Sequence, residues 1–263
     1  MIRTIAFSNI KGGSGKTTTA VNVSAALAQK GHRVLLVDTD PQGHASLSLG
    51  IKSRTPGRDL FTLLIDKADA QTVIHATSNP NLKLLPSSKN LISFEKNYGR
   101  SREARMYLEQ RLRTLHDRFD YITFDTPPTL SLLTFSSLIA AREVAIPVQA
   151  HFLGMKGVFD MVRLLYRIDQ IYKTNIKLIG IIPTFFNEKI RLSKAVVSEI
   201  KKNLGENIFF HPIRNNISLA EAPMFGKTIF EYNSKASGAI DYSAVAVELE
   251  RMEEQDYPRV QTQ

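Results

Sequence analysis

Between an apolar, strand-like run (Thr4 to Phe7) and a helix-like run (Thr19 to Gln29) the chain carries Lys11-Gly12-Gly13-Ser14-Gly15-Lys16-Thr17-Thr18. Few sequence features constrain a fold more. Strand, glycine-rich loop and helix in that order form a cradle for a phosphate. The glycines let the backbone curl until successive N–H groups face one anion. The N-terminus of the following helix adds a partial positive charge. Lys16 is then placed to reach the β- and γ-phosphates of a nucleotide, and Thr17 offers its hydroxyl to Mg²⁺. A glycine-rich turn with a solvated lysine is the plainer reading, but it leaves the order of strand, loop and helix unexplained.

Two further segments fall at strand ends. Asp38 and Asp40, in Val37-Asp38-Thr39-Asp40-Pro41-Gln42-Gly43, follow the strand expected at Val34 to Val37. Asp125, in Phe124-Asp125-Thr126-Pro127-Pro128, follows a strand at Tyr121 to Phe124. In an open parallel sheet, ligands bind outside the carboxyl ends of the strands, so all three carboxylates share an edge with the glycine-rich loop. A carboxylate there can hold a metal-bound water, orient the water that attacks a γ-phosphate, or merely cap the next helix. Asp125 is placed to hold Mg²⁺ directly or through water. An N–H cradle, lysines, a divalent cation and a water-orienting carboxylate are the parts of phosphoryl transfer to water. No kinase-like acceptor motif is visible, so a slow ATPase fits better than a transferase.

Strand-like and helix-like runs alternate along the chain, which predicts an α/β fold: a mostly parallel twisted sheet with helices on both faces. Further strands are expected at 82–85, 144–148, 178–182 and 208–210. Helices are expected at 103–115, 130–141, 157–172, 192–204 and 236–254, with one or two short ones within 58–77. Val158, Met161, Val162, Leu165, Ile168 and Tyr172 recur at spacings of three or four, the mark of an amphipathic helix. With no repeat or linker in view, residues 1–255 read as one domain and 256–263 as a polar tail.

Composition narrows the function. No apolar run approaches the ~20 residues needed to span a bilayer. The chain of 263 residues has no cysteine, which excludes disulfides, thiolate zinc sites and cysteine-ligated clusters. A cytoplasmic protein is the simple expectation. The net charge of +9 favours a polyanionic partner, nucleic acid or an anionic membrane.

The loop departs from the common pattern in one respect: the usual first glycine is Ile10, and a second lysine, Lys11, opens the loop. This deviant form resembles the ParA/MinD family of P-loop ATPases with a deviant Walker A motif. The Asp38–Gly43 segment resembles ParA/Soj proteins more than MinD. So do Pro147-Val148-Gln149, Lys156-Gly157, Ser218-Leu219-Ala220-Glu221-Ala222-Pro223, and Phe230-Glu231-Tyr232 with Lys235. The resemblance implies that ATP and Mg²⁺ are bound by Lys11, Gly12, Gly13, Ser14, Gly15, Lys16, Thr17 and Thr18. It implies a catalytic set of Lys11, Lys16 and Asp40, with Lys11 reaching the phosphates of a partner subunit and Asp40 positioning the attacking water. Thr17, Asp38 and Asp125 would serve the metal, Asp38 chiefly by supporting the loop and the Mg²⁺ shell. The adenine base would lie by the loops near Pro183 and Phe210, with Asn187 and Asn216 as candidate contacts or, equally, turn residues.

The same resemblance implies a cycle. ATP closes a sandwich homodimer, the dimer binds DNA without sequence preference, and a ParB-like or other adaptor triggers hydrolysis and release. The outcome is positioning of a chromosome, a plasmid or a protein cargo by a cytoplasmic, nucleoid-associated ATPase. Candidate DNA contacts are Lys189, Arg191, Lys194, Lys201 and Lys202, diluted by Glu188 and Glu199, with Arg214, Lys227 and Lys235. An ordinary solvated helix face is the alternative for the first cluster. Asn215 and Ser218 stand where the family often has arginine. Arg100 to Arg118 offers a second basic face, which Glu103, Glu109 and Asp117 could neutralise. Two other functions remain open: a membrane-cycling ATPase like MinD, disfavoured by the acidic last helix, and a metabolic P-loop enzyme acting on a small molecule, which gives Lys11 no role.

Overall fold

A computed structural model describes residues 2–51, 57–66, 68–187, 189–205 and 208–252. Seven strands form one sheet among them: β1 (Arg3–Phe7), β2 (Val34–Asp38), β3 (His75–Ala76), β4 (Leu82–Leu85), β5 (Tyr121–Asp125), β6 (Glu143–Gln149) and β7 (Lys177–Thr184). Their order is β3-β4-β2-β5-β1-β6-β7. Every pairing is parallel except the short antiparallel one between β3 and β4. The expected mostly parallel α/β architecture is what forms.

The strands are apolar on both faces because both faces are covered. Ile5, Phe7, Val34, Leu36 and Tyr121 pack with Val21, Leu27, Tyr242, Val245 and Leu249. These helical residues belong to α1 (Lys16–Gln29) and to the last helix, Ser237–Arg251. Ala6, Leu35, Val37, Ile122 and Phe124 turn to the other layer. That layer holds α3 (Leu60–Ile65), α4 (Leu91–Tyr98), α5 (Tyr107–Leu112), α6 (Leu132–Ala140), α7 (Phe152–Tyr172) and α8 (Arg191–Leu204). The set is completed by α2 (His44–Ser48), α9 (Ile217–Glu221) and α10 (Ile229–Asn233), which makes the Ser237–Arg251 helix α11. Val158, Met161, Val162, Leu165 and Ile168 of α7 are all buried, as their spacing predicts.

Several boundaries differ from expectation for identifiable reasons. The helix expected from 157 begins at Phe152, because His151 caps it, its Nδ1 accepting the Gly154 N–H at 3.1 Å. The single helix expected over 103–115 is α5 flanked by two 3-10 turns. Residues 208–210 make only an isolated bridge, Phe209 to Ile181, and Pro212 withholds the donor that would extend it. The elements β3, α2 and α4 are too short to carry a periodic signal. The expected tail, 256–263, and the acidic residues Glu253, Glu254 and Asp256 lie outside the described residues, as does Glu188.

Candidate functional site

The carboxyl ends of β1, β2, β5, β6 and β7 meet at one edge, and the loop after β1 lies across them. Gly13 and Gly15 hold φ of 72° and 84°, a region that favours glycine, so the turn needs glycine at both places. Gly15 is the N-cap of α1 and gives it no side-chain cap, which leaves the first-turn N–H groups for a ligand. Two side chains hold the loop from behind. Gln149 Nε2, at the end of β6, donates to the Gly13 carbonyl at 2.7 Å. Thr184 Oγ1, at the end of β7, donates to the Ser14 carbonyl at 2.9 Å. Carbonyls tied back in this way turn the N–H groups toward the concave side.

Lys16 is 7% exposed and its Nζ donates to the Lys11 carbonyl at 3.0 Å, closing the loop on itself. Burial lowers its pKa, while Asp125 and Asp40 hold it up, so the ammonium sits among carboxylates that favour its charge. Lys11, by contrast, is exposed. Its backbone N–H donates to Asn9 Oδ1 at 3.0 Å, and Asn9 Nδ2 donates to the Pro147 carbonyl at 2.8 Å.

The acids divide into distinct environments. Asp125 is fully buried, and among the described residues neither carboxylate oxygen is held in a well-formed hydrogen bond, although the Thr17 hydroxyl acts on it as a nearby donor. Burial and the neighbouring Asp38 push its pKa well up, against the pull of the Thr17 hydroxyl and Lys16. A buried carboxylate beside a threonine hydroxyl and a lysine is a donor set that fits a hard cation such as Mg²⁺ or its waters. Ser14 Oγ is also buried, without a hydrogen-bond partner among the described residues. Asp38, expected among the metal residues, has its carboxylate occupied: Oδ2 accepts from Ser46 N at 2.8 Å and Ser46 Oγ at 2.6 Å, and Oδ1 from Asp40 N at 3.3 Å. These hydrogen bonds tie the carboxylate to the start of α2, which fits support of the loop and leaves Oδ1 with only one long contact. Asp40 is 7% exposed; its Oδ1 accepts the Gln42 N–H at 2.9 Å and its carbonyl accepts from Ser87 Oγ.

Beneath the acids, hydroxyls stitch the strand ends together. Thr39 Oγ1 donates to the Asp125 carbonyl at 2.6 Å, Ser137 Oγ to Thr39 Oγ1 at 2.9 Å, and Thr126 Oγ1 to the Phe7 carbonyl at 3.1 Å. Gln149, Thr184, Ser46, Ser87 and Asn9 are site residues that the sequence does not single out. Gln149 falls within a segment that resembles the family, but no local pattern assigns it or the others a role.

The remaining candidates scatter. Asn187 is exposed and its Oδ1 accepts the Lys189 N–H at 3.0 Å, so it serves as a turn residue. Asn216 spends its Nδ2 on Ser237 Oγ at 2.6 Å and keeps Oδ1 buried without a partner. Arg214 carries an ion pair that its sequence position does not announce. Its guanidinium pairs with the fully buried Asp241 through Nε and Nη2, with Nη2–Oδ1 at 2.7 Å, which neutralises part of its charge while half of its side chain stays exposed. Lys189, Lys194 and Lys202 are exposed on or beside α8, as are Lys227 and Lys235 elsewhere, and Lys201 is half-buried. Arg191 starts α8, and its side chain lies outside what is described. In the second basic stretch Arg105 lies over Phe135 and binds Tyr172 Oη, while Arg113 pairs with Glu109 at 2.7 Å.

A family model described as an AAA domain matches residues 2–179. The chain is 35% identical to the sporulation initiation inhibitor protein Soj of Bacillus subtilis over 249 residues, covering 95% of this chain and 98% of that protein. Among solved structures, a cobyrinic acid a,c-diamide synthase of Mycobacterium smegmatis with bound ADP and magnesium aligns with a TM-score of 0.83 at 29% identity. That alignment covers 97% of this chain and 96% of the other. An ATP complex of McdA from Cyanothece shares the fold at a TM-score of 0.85 and 21% identity, over 98% of this chain and 99% of the other.

Proposed function

The chain belongs to the ParA/Soj group of AAA-domain P-loop ATPases, and on that premise we propose that it is a DNA-associated positioning ATPase. The carrying observation is the opposite fate of two lysines in one loop: Lys16 is buried in its own cradle, while Lys11 is exposed at the rim. A lysine that does not serve its own pocket is free to serve another, in an ATP-bound homodimer.

The backbone N–H groups of residues 12–18 and the Lys16 ammonium hold the β- and γ-phosphates, and Gln149 and Thr184 keep those N–H groups aimed. Mg²⁺, which Thr17 and Asp125 are suited to hold, would neutralise charge between the two phosphates. Asp40 accepts a hydrogen bond from the attacking water and orients it in line with the bridging oxygen. The new bond is water oxygen to γ-phosphorus, and the bond broken joins that phosphorus to the β–γ bridging oxygen. ADP and phosphate leave. Asn216 Oδ1, buried and unpartnered, is an acceptor suited to the amino group of adenine.

The exposed lysines of α8 with Lys227 and Lys235, on a chain of net charge +9, give sequence-blind affinity for the DNA backbone. Dimerisation joins two weak patches into one stronger surface. An adaptor that stimulates a slow basal hydrolysis completes the cycle. Hydrolysis then releases the dimer from DNA, which is nucleoid-associated behaviour. A membrane-cycling role would need an apolar helix face to spare. In α11 that face, Tyr242, Val245, Ala246 and Leu249, is buried against the sheet and α1.

The test is a gel shift with a random-sequence duplex in ATP, ADP or no nucleotide. Retardation confined to ATP supports the proposal. Equal mobility in all three refutes it and favours a metabolic role, and ATP-dependent pelleting with anionic vesicles instead favours a membrane cycle.

A further inference from the structure

Gly157 lies in the second turn of α7, a helix of 21 residues. Alanine is favoured over glycine in a helix interior, so a glycine there calls for a reason. Lys11 occupies the space. A Cβ built on Gly157 would lie 3.0 Å from Lys11 Cγ, 4.0 Å from Lys11 Cε and 3.3 Å from Asn9 Oδ1. Asn9 is itself 1% exposed and held at both ends, by the Pro147 carbonyl and by the Lys11 N–H. The root of Lys11 is thus fixed by Asn9, and its aliphatic stem lies along the bare backbone of Gly157. The helix that provides this shelf is tied to the loop. Gly154 N–H donates to His151 Nδ1, the other ring nitrogen of His151 meets Gln149 Oε1 at 2.9 Å, and Gln149 Nε2 holds the Gly13 carbonyl.

We propose that Asn9 and Gly157 are positioning residues that set the direction in which Lys11 leaves the loop, aiming its ammonium at the nucleotide of a second subunit. The inference rests on the reading of Lys11 above. A lysine stem loses rotamer freedom when it docks across an interface, and a shelf that restricts it beforehand reduces that cost.

The test is Gly157→Ala, alone and combined with Lys11→Ala, in the full chain. ADP with Mg²⁺ reads the cradle, and ATP turnover and ATP-dependent dimerisation by light scattering read the reach of Lys11 into the second subunit. The expected result is an ADP affinity within about twofold of wild type, an unchanged or higher melting temperature, and a loss of at least about fivefold in turnover and dimerisation. In the Lys11→Ala background the substitution should add nothing. Wild-type turnover and dimerisation in Gly157→Ala would overturn the proposal. So would a parallel loss of ADP affinity, or a loss additive with Lys11→Ala. If Lys11→Ala itself behaves as wild type, the intersubunit reading of Lys11 fails and the shelf with it; if Lys11→Ala is impaired and Gly157→Ala is not, the shelf alone fails.

Discussion

Asp38 and Asp125 stand directly opposite each other where β2 and β5 end, both with no exposure to solvent. Burial, opposed by the Ser46 hydrogen bonds and aided by Asp40, lifts the Asp38 carboxyl from its ordinary 3.8 to about 6. The metal-free fold therefore binds more protons than the unfolded chain between those values. Stability from this residue is full below pH 3.8 and is lost as the pH rises through about 6. Metal-free protein should melt lower at pH 7.5 than at pH 5.5, and Asp38→Asn should flatten that slope and raise the melting temperature at pH 7.5. A melting temperature that is flat or rises over this range in the wild type would contradict the assignment.

Lys16→Ala should remove the ammonium buried in the cradle. Calorimetric titration with ATP or ADP in Mg²⁺ is expected to lose detectable binding, a weakening of at least about 100-fold. Unchanged affinity would mean that the phosphates lie elsewhere.

Asp40→Ala should separate binding from turnover. Nucleotide affinity stays within a few-fold, hydrolysis falls by about 10² or more, and an ATP-bound dimer accumulates on a sizing column. Wild-type turnover in this variant would remove Asp40 from the mechanism.

Thr184→Val keeps the shape of the side chain and deletes the hydroxyl that holds Ser14. Leaving a carbonyl without its donor costs about 1–3 kcal/mol, so ADP affinity should fall roughly tenfold or more with little change in fold by circular dichroism. An unaffected dissociation constant would show that the loop keeps its form without the prop.

Replacing Lys189, Lys194 and Lys202 with alanine should weaken DNA binding in ATP. The slope of log affinity against log salt should fall by up to about 0.9 for each phosphate the protein no longer neutralises. ATP turnover without DNA should be unaffected, since these side chains are exposed and none is hydrogen-bonded to the loop among the described residues. An unaltered salt slope moves the DNA surface to another face.

What the sequence made legible was what is local. A strand, a glycine-rich loop and a helix follow one another in the chain, so Lys16 and Thr17 could be placed from residue order alone. Asp38, Asp40 and Asp125 could be placed on one edge because parallel strands share a direction. Which way a carboxylate turns was not legible. Asp38 is directed by Ser46, eight residues on, and Asp125 has no such tie, a difference made by α2, a helix too short to announce itself. The ion pair of Arg214 was not legible because its partner, Asp241, is 27 residues away on α11. Gln149 and Thr184 reach the loop from strands paired only in three dimensions.

The strand order has a practical consequence for anyone dividing this chain. A fragment stopping at residue 142 would retain every motif residue of the phosphate loop and all three aspartates. It would lack β6 and β7, and with them Gln149, Thr184 and the hydrogen-bond acceptor for Asn9. Its glycine-rich turn would have no backstop on that flank, and β1 would become a bare sheet margin open to self-pairing. Such a piece should aggregate and bind ADP poorly. The complete motif, cut free of its distant struts, is not a miniature of the site.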